Sequence, residues 1–266
     1  MKKVAFLFLI KDSITLELVW ELYFKNLDVC QYSIYIHHKD GATLGAFFYK
    51  YQISNCVATE WGHISLVRAQ NLLLTRALED PDNEHFVFVS GDAISTKPFH
   101  VLYNQLDTSF SYFTKSPNQN GCFPRTNPAL RFIDKKHIQK AHQWCILNRK
   151  HATLMTTNTE YIDWFNGVPC TDEHCYITYI YVRGLQDEIV GNDDSSDPTT
   201  NLTYANWTHT RPAQRLPRLY KTITPEELEQ LINGRCLFAR KFAPQALASI
   251  ALHPEYIQKM FFVGTK

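Results

Sequence analysis

The sequence predicts an α/β fold: a single domain whose mostly parallel central sheet is flanked by helices. Three observations predict it. Val4 to Ile10 is a continuous apolar run, the pattern of a strand buried on both faces. Leu16 to Leu27 follows with helical spacing, placing Leu18, Val19, Leu22 and Tyr23 on one stripe. A strand, helix and strand then recur in that order further along, which is the sequence form of parallel pairing. With 266 residues the chain can bury a sizeable core, and 1–266 is read as one unit.

Composition narrows the function classes. Charged residues make up 20% of the chain and the net charge is +1, so nothing attracts nucleic acid or an anionic membrane in general, and any anion site must be local. Aromatics at 14% suit ligand clefts as well as cores. The seven cysteines are scattered with no Cys-x-x-Cys pair, which points to a reduced compartment. Val4 to Ile10 is too short to span a bilayer and leads into Lys11-Asp12 rather than a cleavage site, so no integral membrane segment is expected.

The elements follow in order. Tyr32 to Ile36 reads as a second strand that delivers His37, His38, Lys39 and Asp40 at its carboxyl end, where open α/β sheets bind ligands. Ser65 can cap a helix to about Leu78, and Asp80-Pro81-Asp82-Asn83 stops it. Phe86 to Val89 is the next strand and presents Ser90-Gly91-Asp92. Lys115 to Leu130 reads as a long loop; Ile138 to Leu147 is helical or strand-like, with Gln143-Trp144 buried in it; Arg149 to Met155 is a basic helix. The polar stretch Gln186 to Asn201 reads as a solvated loop.

Near the C-terminal end a helix is fully specified: Thr224 as N-cap, Pro225 at the first position, Glu227 closing a capping box, Leu228 and Leu231 on one face, and Asn233-Gly234 as the stop. Behind it, Arg235 to Pro244 carries Arg240 and Lys241 side by side in a short apolar run. Those cations are either an anion site or a solvated strand. Thr171-Asp172-Glu173-His174 allows an N-cap threonine with two acids in the first helical turn, and also a general base at Glu173 beside a histidine and aromatic walls. Cys170, His174 and Cys175 crowd together without a fourth ligand, so packing is favoured over zinc. Asp80-Pro81-Asp82 has the letters of a diphosphate-metal pair but falls at the amino end of its strand, away from the ligand edge.

Six segments occur together in one order: Trp61-Gly62 before Ser65-Leu66-Val67, Phe86 to Ser90, Gln143-Trp144 with Leu147-Asn148-Arg149, Cys170 to His174, Thr203-Tyr204 to Trp207, and Leu237 to Phe242. In that order the chain resembles the core-2/I-branching β-1,6-N-acetylglucosaminyltransferase family, especially its plant-type branch. The resemblance implies a GT-A-like fold with a nucleotide-binding part over roughly 1–112 and an acceptor and catalytic part over roughly 113–266. It implies inverting transfer of a sugar, N-acetylglucosamine by family type, from a UDP-sugar donor to a glycan hydroxyl, with no metal and no other cofactor. Glu173 matches the family's base. Lys241 matches the lysine that binds the donor diphosphate, and Arg218, 241 − 218 = 23 positions earlier, best fits the arginine that assists it, with Arg211 and Arg215 as rivals. His37 and Asp40 fall in a donor-side segment; Asp92, Tyr204 and Trp207 fall in acceptor-side segments, core packing being the other reading of the two aromatics. Trp61, Gln143 and Trp144 match as structural residues.

Ser95 stands where the family usually has a proline, which puts the role of Asp92 in question. The family's eukaryotic members are Golgi proteins with an anchor and stem, whereas this chain starts almost at its first strand. That start is expected of a bare catalytic domain in a cytosol-like compartment, in a viral or microbial setting or after trimming. The rival readings are the same fold using UDP-xylose, UDP-glucose or UDP-glucuronic acid, and a non-catalytic glycan-binding relative.

Overall fold

The computed structural model describes residues 2–116, 122–193, 201–207 and 216–261. Its first strand, β1 (Lys3–Ile10), explains its own sequence: Val4, Phe6, Phe8 and Ile10 point into one core layer, while Ala5, Leu7 and Leu9 point into another. A strand with apolar cover on both faces has no polar face to alternate with, hence the unbroken apolar run. Helix α1 (Glu17–Lys25) covers the first layer through Val19, Trp20, Tyr23 and Phe24. The expected stripe is thus rotated, since Leu18 is 51% exposed and the large rings of Trp20 and Phe24 take the inward positions.

Strand β2 (Tyr32–His38) pairs parallel with β1 and runs two residues past its expected end, so that His37 and His38 belong to the sheet. After the short α2 (Ala46–Tyr49), helix α3 (Ser65–Leu78) covers the second layer with Val67, Ala69, Leu73, Leu74 and Ala77. Ser65 lies inside that helix rather than capping it, and its hydroxyl accepts from the Glu60 N–H. Strand β3 (Asn83–Ser90) is longer than Phe86 to Val89 because its polar start is satisfied internally. Buried Asn83 donates to the Ala77 carbonyl at 2.8 Å and accepts from the Ser33 hydroxyl at 2.7 Å. Asp80 takes Lys3 Nζ at 2.8 Å at the amino end of β3, as a helix stop and not a site.

Next come β4 (Ala93–Ser95), α4 (Phe99–Gln105), β5 (Ser111–Lys115), α5 (Cys122–Thr126), β6 (Ile146–Asn148), α6 (Arg149–Thr157), α7 (Glu160–Trp164), α8 (Cys175–Val182) and β7 (Ile189–Asp193). The stretch from 115 to 130 is therefore more regular than a loop: beyond 117–121, which are outside the described residues, α5 leads into a 3-10 turn over Asn127–Arg131 with Pro128 in its first turn. Ile138 to Leu147 is extended, its strand confined to the end. Over 186–193 the acidic stretch is not a solvated loop: there β7 pairs parallel with β5, and Gly191 lets the Lys115 side chain cross where a Cβ would collide with it. The rest of that stretch, 194–200, lies outside the described residues.

The strand order is β2-β1-β3-β6-β5-β7. Only β6 runs against its neighbours, so the sheet is largely parallel and draws strands from both halves of the chain. The remaining elements are β8 (Thr203–Ala205), α9 (Pro225–Asn233), β9 (Phe238–Arg240), α10 (Ala246–Ala251) and α11 (Pro254–Phe261). Strands β4, β9 and β8 form a second small sheet, with Arg240 paired between Ala93 and Ala205. No helix among the described residues is long and apolar enough to cross a membrane.

Trp20 joins the two sheets. Its ring stacks on Phe24, packs edge-on to Phe8, and its Nε1 donates to the Ala93 carbonyl at 2.8 Å. Trp20→Phe should cost about 1–3 kcal/mol for the orphaned carbonyl, and Trp20→Ala about 3–5 kcal/mol for the cavity, read by urea denaturation. A Trp20→Phe variant as stable as the wild type would show that the hydrogen bond carries nothing.

Candidate active site

Glu173 is held by a tight turn. Cys170 adopts the left-handed conformation (φ 54°), Thr171–Glu173 form a single 3-10 turn, and α8 begins only at Cys175. Thr171 is not an N-cap: its hydroxyl donates back to the Val168 carbonyl at 2.6 Å. The Cys170 N–H donates to the Gly62 carbonyl at 2.7 Å, and the Ala141 N–H to the Glu173 carbonyl at 2.8 Å. The Trp61-Gly62 motif thus acts through the glycine backbone, whereas Trp61 is 77% exposed and is not a packing residue. The Glu173 carboxylate is a third exposed, and its Oε2 accepts from Arg125 Nη1 at 2.9 Å with Lys140 Nζ at 3.7 Å.

Asp172 and His174 flank it in opposite states. Burial, reinforced by the Glu173 charge, pushes the Asp172 carboxyl from an ordinary 3.8 up to about 7, and its Oδ1 is shut off from solvent with no hydrogen-bond partner. Buried His174 donates from Nδ1 to the Gln139 carbonyl at 3.0 Å, and burial lowers its pKa, so it stays neutral. Cys175 is buried in the second core layer, which matches the packing reading of that cluster. Among the described residues no group of three or more His, Cys, Asp and Glu is placed to hold a metal ion.

The cations of β9 meet the Ser90-Gly91-Asp92 turn. Arg240 Nε donates to Asp92 Oδ1 at 2.9 Å and Nη2 to Oδ2 at 3.2 Å, Lys241 Nζ lies 3.8 Å from Oδ2, and the Ser90 hydroxyl makes a short bond to Oδ1. Burial alone would raise the Asp92 carboxyl, but Arg240, Ser90 and Lys241 together hold it below the usual carboxylate range. Burial, and then the Arg240 charge, lower the Lys241 ammonium. Arg240 does not point away from Lys241, as alternation along a strand would have it; both reach the same carboxylate. The Arg240 guanidinium also lies 5.0 Å over the half-buried Trp144 ring, and its charge reaches Asp172. Arg240 thus links the Asp92–Lys241 cluster to the Trp144 segment, in which the Ala141 N–H holds the Glu173 carbonyl.

Arg218 approaches the same strand from the other side. Its N–H donates to the Asn206 carbonyl at 2.7 Å, and two residues on Tyr220 N–H donates to the Lys241 carbonyl at 2.8 Å. The capping box of α9 holds its side chain: Glu227 Oε2 accepts from the Thr224 N–H at 3.1 Å while Oε1 takes Arg218 Nη1 at 2.5 Å, with the guanidinium 4.5 Å over the Tyr220 ring. Arg211 and Arg215 lie outside the described residues. Tyr204 is buried on β8, its hydroxyl raised by burial, and Trp207 is 50% exposed, so the two aromatics separate into a core residue and a surface one. His37 is buried at the end of β2, where its Nε2 accepts from the Val57 N–H at 2.9 Å and burial lowers its pKa to about 4. Asp40 is exposed beside Lys39. Sequence reasoning missed Arg125, Lys140 and the environment of Asp172; the basic bias between 115 and 142 was the available signal.

The description "Core-2/I-Branching enzyme" matches residues 4–232. The chain belongs to this family. Its curated relative "Glycosyltransferase BC10" of Oryza sativa subsp. japonica is 30% identical over 225 residues, which cover 70% of this chain and 55% of that protein. This member of the Core-2/I-Branching family therefore spans about half the length of the curated relative it matches. Among solved structures it is similar to a glycosyltransferase involved in the glycosylation of the major capsid of PBCV-1 (12% identity, TM-score 0.45, 89% of this chain and 94% of that one). It is also similar to the galactosyltransferase LgtC in complex with donor and acceptor sugar analogs (9% identity, TM-score 0.46, 98% of both chains).

The Asp172 carboxyl gives a pH signature. Between pH 4 and 7 the folded state binds a proton that the unfolded chain releases, so its contribution is fully present below 3.8 and is lost as pH rises through about 7. The loss is at most about 4 kcal/mol. Asp172→Asn should abolish part of the fall in Tm between pH 5 and 8; an unchanged slope would show that Asp172 ionises normally.

Proposed function

We propose that this Core-2/I-Branching family member is an inverting, metal-independent glycosyltransferase that moves a sugar, N-acetylglucosamine by family type, from a UDP-sugar to a glycan hydroxyl. One observation supports the reading: Arg240, which shares Asp92 with Lys241, lies over Trp144, three residues on from Ala141, whose N–H bonds the carbonyl of the proposed base Glu173. In this reading Glu173 takes the proton from the acceptor hydroxyl, whose oxygen attacks the anomeric carbon as its bond to the diphosphate breaks. The leaving UDP carries the electron pair, and Lys241 with Arg218 stabilises its charge.

The resting contacts fit such a cycle. Lys241 lies 3.8 Å from Asp92, a loose pairing whose ammonium is free to turn toward a diphosphate, while Arg240 keeps the bidentate bond. Arg218 shares its charge with Glu227, so a diphosphate would compete with one half-buried carboxylate rather than meet a bare cation. Trp207 supplies an exposed aromatic face for an acceptor sugar, whereas Tyr204 is buried on β8.

Base catalysis of this kind contributes about 10²–10⁴-fold. Glu173→Gln should lose transfer by that order while UDP still raises Tm; transfer at the wild-type rate would remove Glu173 from the mechanism. Lys241→Ala should lose most of the UDP-induced Tm shift. Activity should survive EDTA, and a loss restored by manganese would contradict the metal-independent reading.

A further inference from the structure

We propose that the acceptor is an anionic glycan, recognised by a basic surface around Glu173 through a carboxylate or other oxyanion near the reacting hydroxyl; this rests on the reading of Glu173 as the base. Between 115 and 142 the sequence carries six lysines and arginines (Lys115, Arg125, Arg131, Lys135, Lys136, Lys140) and one acid, Asp134, a local charge of 6 − 1 = +5. The whole chain is +1, so the remainder sums to 1 − 5 = −4, and the basic charge is concentrated rather than general.

The fold brings two of these cations to Glu173 and keeps the others on the segments that lead to them. Arg125 and Lys140 both reach Glu173 Oε2. Lys115 stands opposite Ala141, whose N–H donates to the Glu173 carbonyl, and the Ser116 N–H donates to the Lys140 carbonyl at 3.0 Å. Lys136 pairs with Asp134 at 3.4 Å with both side chains well exposed, and the exposed Arg131 lies over the Phe132 ring at 4.7 Å. Two cations thus share one oxygen of the proposed base, and an acceptor hydroxyl must reach a carboxylate that Arg125 already holds. A neutral acceptor would leave that hold in place. An acceptor bearing an oxyanion gives Arg125 and Lys140 a second partner, with the planar guanidinium suited to fork onto it, and so releases Glu173 for the proton. The substrate itself would then switch the base on, which also favours charged acceptors over water.

The test is binding to three hexasaccharide probes by the full chain: oligogalacturonate, its carboxyl-reduced neutral form, and a sulfated galactan. One or both anionic probes should bind about tenfold tighter than the neutral one at low salt, with the gap closing in high salt. The double variant Arg131→Glu/Lys136→Glu, away from Glu173, should lose at least half of that gap. The UDP-induced Tm shift, read in parallel, separates the two ideas: UDP stabilisation with no preference for anionic probes overturns this inference alone, and no UDP stabilisation overturns the reading of the site. A hexadeoxynucleotide binding as tightly as the anionic sugars would also overturn it, because the surface would then be reading charge without sugar.

Discussion

The bidentate pair between Arg240 and Asp92 is the constraint on which the site depends. Asp92 sits in the turn that leaves β3, a buried central strand, and Arg240 ends β9, a strand of the second sheet. Their contact therefore fixes one sheet against the other at the edge where the strands of the first sheet terminate. Half-withdrawn from water and geometrically well matched, such a pair sets position more than it adds stability, because desolvation offsets much of its attraction. Trp144 closes the other face of the guanidinium and ties β9 to the segment leading into β6.

Each cation near the site is matched to a carboxylate that an adjacent element supplies: Arg240 to Asp92, Arg218 to Glu227 of the α9 capping box, and Arg125 to Glu173. Such an arrangement presents donors in fixed directions, with Lys140 and Lys241 as the surplus charge, so an incoming anion exchanges partners rather than ordering free side chains. The capping box shows the economy of the arrangement, since one glutamate both starts a helix and orients an arginine. Asp172 is the exception. Its Oδ1 is buried without a hydrogen-bond partner, and burial with the Glu173 charge raises its carboxyl, whereas Glu173 beside it is paired with Arg125.

Much of the fold was legible because its signals are local. The buried strand β1, helix α3 and the capped helix α9 each follow from periodicity and end residues, and the family resemblance singled out Glu173, Arg218 and Lys241, of which the last two lie on segments joined by the bond from the Tyr220 N–H to the Lys241 carbonyl. What was illegible depends on partners distant in sequence. β7 is a strand only because β5 offers it a free edge, and the polar start of β3 is tolerated only because Ala77, Ser33 and Asp107 satisfy it. Arg240 looked unassigned because strand alternation turns neighbours apart, yet both cations reach Asp92 across the sheet. Trp61 looked structural because tryptophan usually packs, whereas here the adjacent glycine carbonyl does the holding.

The central claim is that a carboxylate on one side of the sugar and fixed cations on the other drive a single in-line displacement. The most direct measurement is the anomeric configuration of the new glycosidic linkage formed from UDP-N-acetylglucosamine, read from its anomeric proton by NMR. The account requires the β-linked product from the α-linked donor. An α-linked product would mean retention, and would contradict both the role of Glu173 and the one-step displacement built on it.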